Sequence, residues 1–169
     1  IDLYMKSGMY ITEIVKKLFK NTRKHYNSDH ECLKHILENQ LYGLAPTSIL
    51  HGITQTYIFG FDIGKKILRK NFIQHDLTPE VKERVAKQKL QELLKINENM
   101  KFDVVLGNPP YQENNSERKR DDSIYHLFTD ESYKLANKVS LISPARFLFN
   151  VGSTPVEWNK KMLNDKHVK

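Results

Sequence analysis

Short strand-like runs alternate with stretches of helical period along nearly the whole chain, and this alternation does most to limit its fold. Strand candidates lie at Gln40 to Leu44, Asn71 to His75, Phe102 to Leu106 and Val139 to Ser143. Pro46 and Thr47 open a helix that runs to about Phe59, and Thr78-Pro79-Glu80 opens one that runs to about Asn97, with Val81, Val85, Leu90, Leu93 and Leu94 at helical spacing. Further helices are expected over Ser123 to Asn137 and around Trp158. At the start, Asp2 leads through the turn Lys6-Ser7-Gly8 into an amphipathic helix carrying Ile11, Ile14, Val15 and Leu18 on one face, with no strand expected before it. Asn21 to Glu31, Gly60 to Lys70 and Gln112 to Asp122 read as polar connections, the last a mobile loop. Strands separated by helices predict an α/β fold: a mostly parallel sheet with helices on both faces.

Composition narrows the function classes. The chain has 169 residues, enough for one domain with a real core. It lacks any apolar run of membrane-spanning length, and Asp2, Lys6, Glu13, Lys16 and Lys17 interrupt the first twenty residues where a signal peptide would be apolar. A cytoplasmic protein without a membrane partner is expected. Cys32 is the only cysteine, so an intramolecular disulfide and a multi-thiolate metal centre are excluded. The seven histidines are scattered, and no metal site is expected. A net charge of +7 suits a polyanion such as nucleic acid, and equally a set of solvated lysine-rich helices.

The run Phe102-Asp103-Val104-Val105-Leu106 stops at Gly107 and delivers Asn108, Pro109, Pro110 and Tyr111. The carboxyl end of a strand is where open α/β sheets bind ligands. A residue before proline is held extended, and prolines carry no N–H, so this loop is stiff and rich in acceptors. Asn108 adds an amide oxygen and Tyr111 an aromatic face, a combination suited to gripping a planar group with an amino substituent. The plain alternative is an Asn-Pro turn that merely ends a strand.

Asn108-Pro109-Pro110-Tyr111 after an apolar strand resembles the catalytic motif of S-adenosylmethionine-dependent amino-methyltransferases, above all the restriction-modification enzymes that methylate N6 of adenine in DNA. Asp2-Leu3-Tyr4-Met5-Lys6-Ser7-Gly8-Met9-Tyr10 is similar to the family's cofactor motif Asp-Pro-x-x-Gly-Ser-Gly-x-Phe, with Leu3 for proline and Lys6 for the first glycine, and its Lys6-Ser7-Gly8 resembles a subgroup of restriction-modification methylases that read Lys-Ser-Gly. The alternative role of Ser7 is a helix N-cap. The resemblance covers almost the whole chain and implies a Rossmann-like methyltransferase fold, taken here as one partial catalytic domain over residues 1–169, truncated at both ends and without a target-recognition domain. A fragment of this kind is expected to be a weak enzyme.

The resemblance also implies roles for individual residues. Asn108, Pro109, Pro110 and Tyr111 are the catalytic set. Asp2, Lys6, Ser7, Gly8, Asp76, Tyr125 and Phe128 are the cofactor set, binding S-adenosylmethionine. Asp76 has helix capping as its alternative, and Tyr125 and Phe128 have core packing. In this family an acidic residue usually holds the cofactor ribose after the second strand, and here Ala45 stands in its place. The implied partner is DNA, together with a nuclease or recognition subunit or domain of the same system. Arg118, Lys119 and Arg120 are candidates for gripping phosphates or simply a solvated basic loop. Enzymes that methylate a glutamine side chain or RNA share the tetrapeptide, and a non-catalytic nucleic-acid-binding remnant would retain it too, so both readings stay open.

Overall fold

The computed structural model describes residues 1–60, 66–113, 122–149 and 153–168. Ile1 to Leu3 lie extended in the middle of its sheet, where the sequence predicted no strand. On one side the Asp2 N–H donates to Tyr42 O at 3.0 Å and Leu44 N–H to Asp2 O at 3.0 Å. On the other side the Ile1 nitrogen donates to Val104 O at 2.8 Å and Leu106 N–H to Ile1 O at 3.0 Å. Each pair of bonds flanks one residue of the neighbouring strand, which is the parallel pattern. This short stub joins two parallel pairs: β1 (Gly43–Ala45) with β2 (Phe72–Gln74), and β3 (Phe102–Gly107) with β6 (Ala136–Leu141). The spatial order is β2, β1, stub, β3, β6. The direction of winding reverses between the stub and β3, the kind of switch point that opens a crevice at the strand ends.

Helices cover both faces. α1 (Met9–Thr22), α2 (Asp29–His35) and α3 (Ser48–Phe59) pack on one side over Met5, Ile11, Cys32, Ile36, Ala45 and Phe72. α4 (Thr78–Lys82), α5 (Ala86–Leu94) and α6 (Tyr125–Leu135) pack on the other over Leu3, Val81, Leu90, Val105 and Phe128. The Thr47 hydroxyl accepts from Leu50 N–H at 3.2 Å and starts α3 where Pro46-Thr47 predicted a helix start. α7 (Val156–Asn164) brings Trp158 and Met162 against Tyr125.

Several boundaries differ from the sequence expectation for identifiable reasons. Asn21 to Glu31 is not a plain connection: α1 continues to Thr22, a 3₁₀ turn follows at Arg23–His25, and α2 begins at Asp29. There the Ser28 hydroxyl accepts from Glu31 N–H at 3.1 Å, and α2 runs on into a π-helical turn at Ile36–Gln40. The helix expected from Thr78 to Asn97 is two, because Arg84 turns left-handed at φ 64° between them, and the second ends early at Lys95, left-handed at φ 52°. The turn at Arg84 brings its guanidinium to Asp130 of α6 at 2.9 Å and leaves Val85 36% exposed despite its helical spacing. β6 starts at Ala136, three residues before the predicted Val139, and its exposed Asn137 and Lys138 hide it from a search for apolar runs. Gln112 and Asp122 are not loop but part of a short antiparallel pair, β4 (Gln112–Glu113) and β5 (Asp122–Ser123), with Gln112 opposite Ser123 and Glu113 opposite Asp122. Arg118, Lys119 and Arg120 lie outside the described residues.

Candidate active site

The stub and β3 end side by side, and the tightest contact of the site lies between them. Gly107 has φ 152°, and a Cβ there would stand 2.6 Å from Asp2 Oδ1. Glycine is required because the Asp2 carboxylate occupies the space of a side chain. Asp2 is 2% exposed and accepts Tyr4 N–H at 3.0 Å. Burial pushes its pKa up to about 6, opposed by the Tyr4 N–H and by the positive charges of the chain's first nitrogen and Lys6.

Past Gly107 the chain passes through Asn108 and Pro109, which line one narrow cleft of about 10 Å³ with Asp2, Leu3, Tyr4 and Phe128. The side-chain oxygen of Asn108 is buried and accepts no hydrogen bond among the described residues. Leaving such an acceptor unpaired costs on the order of 1–3 kcal/mol, so its orientation needs a reason outside the fold's own bonding. The Lys6 ammonium lies 5.8 Å from the centroid of the Tyr111 ring, which ties the amino-terminal turn to the Asn108–Tyr111 loop. Gly8, at φ 81°, ends that turn and stands at the N-cap of α1, where no side chain caps the helix. The capping role open to Ser7 is therefore not taken. A helix start without a side-chain cap has N–H groups available to an anionic or polar ligand.

The other predicted residues divide between the cleft and the core. Asp76 lies past the end of β2, where its carboxylate accepts Thr78 N–H at 3.0 Å at the start of α4. Its charge acts on Tyr4, whose pKa is raised first by burial and then by Asp76. Phe128 is fully buried and meets the Tyr4 ring edge-on at 6.0 Å. Tyr125 points elsewhere: its hydroxyl shares a hydrogen bond with the Thr154 hydroxyl at 2.7 Å and its ring packs edge-on against Trp158. Ala45 is wholly buried at the end of β1 and supplies no polar group.

Tyr4, like Leu3 and Ser132, lines the cleft without having been singled out in the sequence reading. Its signal was present, since alternate residues of an extended segment share a face and Tyr4 stands two after Asp2. A second cavity, of about 170 Å³, opens on the far side of the loop between Tyr111, Ser123, Tyr125, Pro144, Arg146 and Thr154. Sites for drug-sized ligands span roughly 300–1,000 Å³, so this one is scaled to a single planar ring. A larger hollow of about 450 Å³ lies under α1 against Phe102 to Val104, is largely apolar, and is bordered by none of the residues of the predicted site.

A doubly wound parallel sheet with Asn-Pro-Pro-Tyr at its switch point defines the methyltransferase-like α/β class. The profile of the Eco57I restriction-modification methylases matches residues 39–169, most of the chain, and the protein belongs to that family. Restriction-modification methylases act on DNA. The match includes the catalytic-type loop and begins after the turn at Asp2 to Gly8, so that turn is joined to the site by geometry alone. No curated protein matches the chain. Among the described residues, no helix is long and apolar enough to cross a membrane.

Proposed function

We propose that the protein transfers a methyl group from S-adenosylmethionine to N6 of an adenine drawn out of DNA. The observation that carries this reading is the buried, unpartnered Asn108 oxygen beside a cleft walled by Asp2 and Phe128. The chemistry of the residues present suits the donor molecule, with a buried carboxylate for its ammonium group, a helix start without a side-chain cap and the rings of Tyr4 and Phe128, at a cleft that as it stands holds only about 10 Å³. When bound, the donor supplies an electrophilic sulfonium methyl.

Everything else falls to the chain's own groups. The lone pair of an adenine amino group is delocalised into the ring, which makes the nitrogen a poor nucleophile. Asn108 Oδ1 and the Pro109 carbonyl accept one N6 hydrogen each, draw the nitrogen toward tetrahedral geometry and hold it in line for attack. No strong base is needed, because the alkylated nitrogen becomes acidic and releases its proton afterward. Tyr111 offers a ring for the base to stack on. Extruding the base from the duplex costs a few kcal/mol of unstacking, which stacking and the amide grip offset. Ser123, Thr154 and Arg146 line the cavity behind Tyr111, and we read them as contacts for the flanking nucleotide.

The test is methyl transfer to duplexes in which adenine is replaced by purine, which has no 6-amino group. Labelled methyl should reach the adenine duplex and be absent from the purine duplex. Equal incorporation into both would remove N6 as the acceptor.

A further inference from the structure

The cavity behind Tyr111 is lined by hydroxyl and guanidinium groups and, among the described residues, by no carboxylate. The Ser123 hydroxyl is buried and has no hydrogen-bond partner among the described residues, so the fold itself makes no use of it. Arg146 is exposed, with no carboxylate within ion-pair distance among the described residues. The Thr154 hydroxyl is fixed by the Tyr125 hydroxyl at 2.7 Å, and both side chains are buried. When Tyr125 donates that bond, Thr154 keeps its own hydrogen for an acceptor in the cavity. Two helices also begin at the cavity wall, α6 at Tyr125 and α7 at Val156, just after Thr154. Neither start carries a side-chain cap, so both leave N–H groups and the positive end of a helix dipole there.

Such a lining suits an anion, and the anion nearest to an adenine lifted from DNA is a phosphate of its own strand. A neighbouring base in the cavity would meet these donors with a largely apolar face and leave them unpaired. Resting on the nucleic-acid reading above, we propose that this cavity is a phosphodiester subsite, in which Arg146, Thr154 and Ser123 donate to the oxygens of the linkage next to the acceptor nucleotide. Tyr111 stands between the two roles: the base lies against its ring, and the phosphate of the strand is held beyond it. Tyr125 is then a positioning residue on the DNA side, acting through Thr154, and not a member of the cofactor set.

The test uses a short single strand of thymidines with one central adenine, which binds without extrusion of a base and is followed by fluorescence anisotropy. In a second strand the linkages flanking the adenine are methylphosphonates, which keep the shape and lose the charge. Arg146→Met should weaken the first strand by about tenfold, the scale of a charge-assisted hydrogen bond, and leave the second unchanged. Arg146→Lys should recover part of the loss. Tyr125→Phe, which keeps the ring and releases Thr154, should cause a smaller loss on the first strand and none on the second, whereas a purely structural role would weaken both alike. Losses equal on the two strands, or absent from both, would overturn the subsite and leave the methyl-transfer reading standing; a site for inorganic phosphate alone would give the second of these results. A parent that binds neither strand would sink the subsite and the nucleic-acid reading together.

Discussion

Asp2→Asn tests the electrostatics of the cleft most sharply, because it removes a buried charge and keeps an oxygen for the Tyr4 N–H. Burial moves the Asp2 pKa from 3.8 to about 6. At about 1.4 kcal/mol per pKa unit, the charged carboxylate costs the folded protein about 3 kcal/mol. The folded state holds its proton up to about pH 6, whereas the unfolded chain releases it above 3.8. The cost is therefore absent below the lower value, grows between the two, and is complete above the higher one. Asp2→Asn should stabilise the protein by up to about 3 kcal/mol near pH 8 and change little near pH 4. The useful quantity is accordingly the difference between variant and parent at each pH. Urea unfolding across this range measures it. A variant no more stable than the parent near pH 8, or a difference independent of pH, would refute a costly buried charge at Asp2.

Asn108→Ala should lower methyl transfer on the order of 10²-fold or more while cofactor affinity holds, since the amide acts on the acceptor base; single-turnover rates and calorimetry together check this. Gly107→Ala should destabilise the fold by roughly 1–3 kcal/mol through its clash with Asp2, and adding Asp2→Ala should recover part of that loss in a double-mutant cycle followed by urea unfolding. Asp130 accepts from Trp158 Nε1 at 3.0 Å, Arg84 at 2.9 Å and Lys161 at 3.3 Å. Asp130→Ala should loosen α7 and cost roughly 1–3 kcal/mol, read as faster amide exchange across Val156–Asn164.

The parts of the fold legible in the sequence were those where a single local signal decided the outcome. Phe102 to Gly107 is apolar, central and sharply ended, so the end of β3 and the placement of Asn108 followed directly. Pro46-Thr47 marked α3 for the same reason. What escaped depended on partners distant in the chain. Ile1 to Leu3 is too short to read as a strand and becomes one only by pairing with β1 and β3. Ser28 to Glu31 carried a helix-capping pattern, but its polar surroundings masked the start of α2. Arg84 breaks a continuous helical pattern to reach Asp130, and β6 is polar where it faces solvent. Within the candidate site, Tyr125 and Phe128 look alike at helical spacing, yet only Phe128 faces the cleft, because Trp158 and Thr154 draw Tyr125 away.

The most direct test of the whole account is the identity of the methylated product. DNA incubated with the protein and methyl-labelled S-adenosylmethionine is digested to nucleosides and separated by mass. The account predicts label in N6-methyldeoxyadenosine, present with the parent and lost with Asn108→Ala. Label in a cytosine derivative, in RNA or in a protein glutamine, or equal N6-methyldeoxyadenosine with Asn108→Ala, would contradict it.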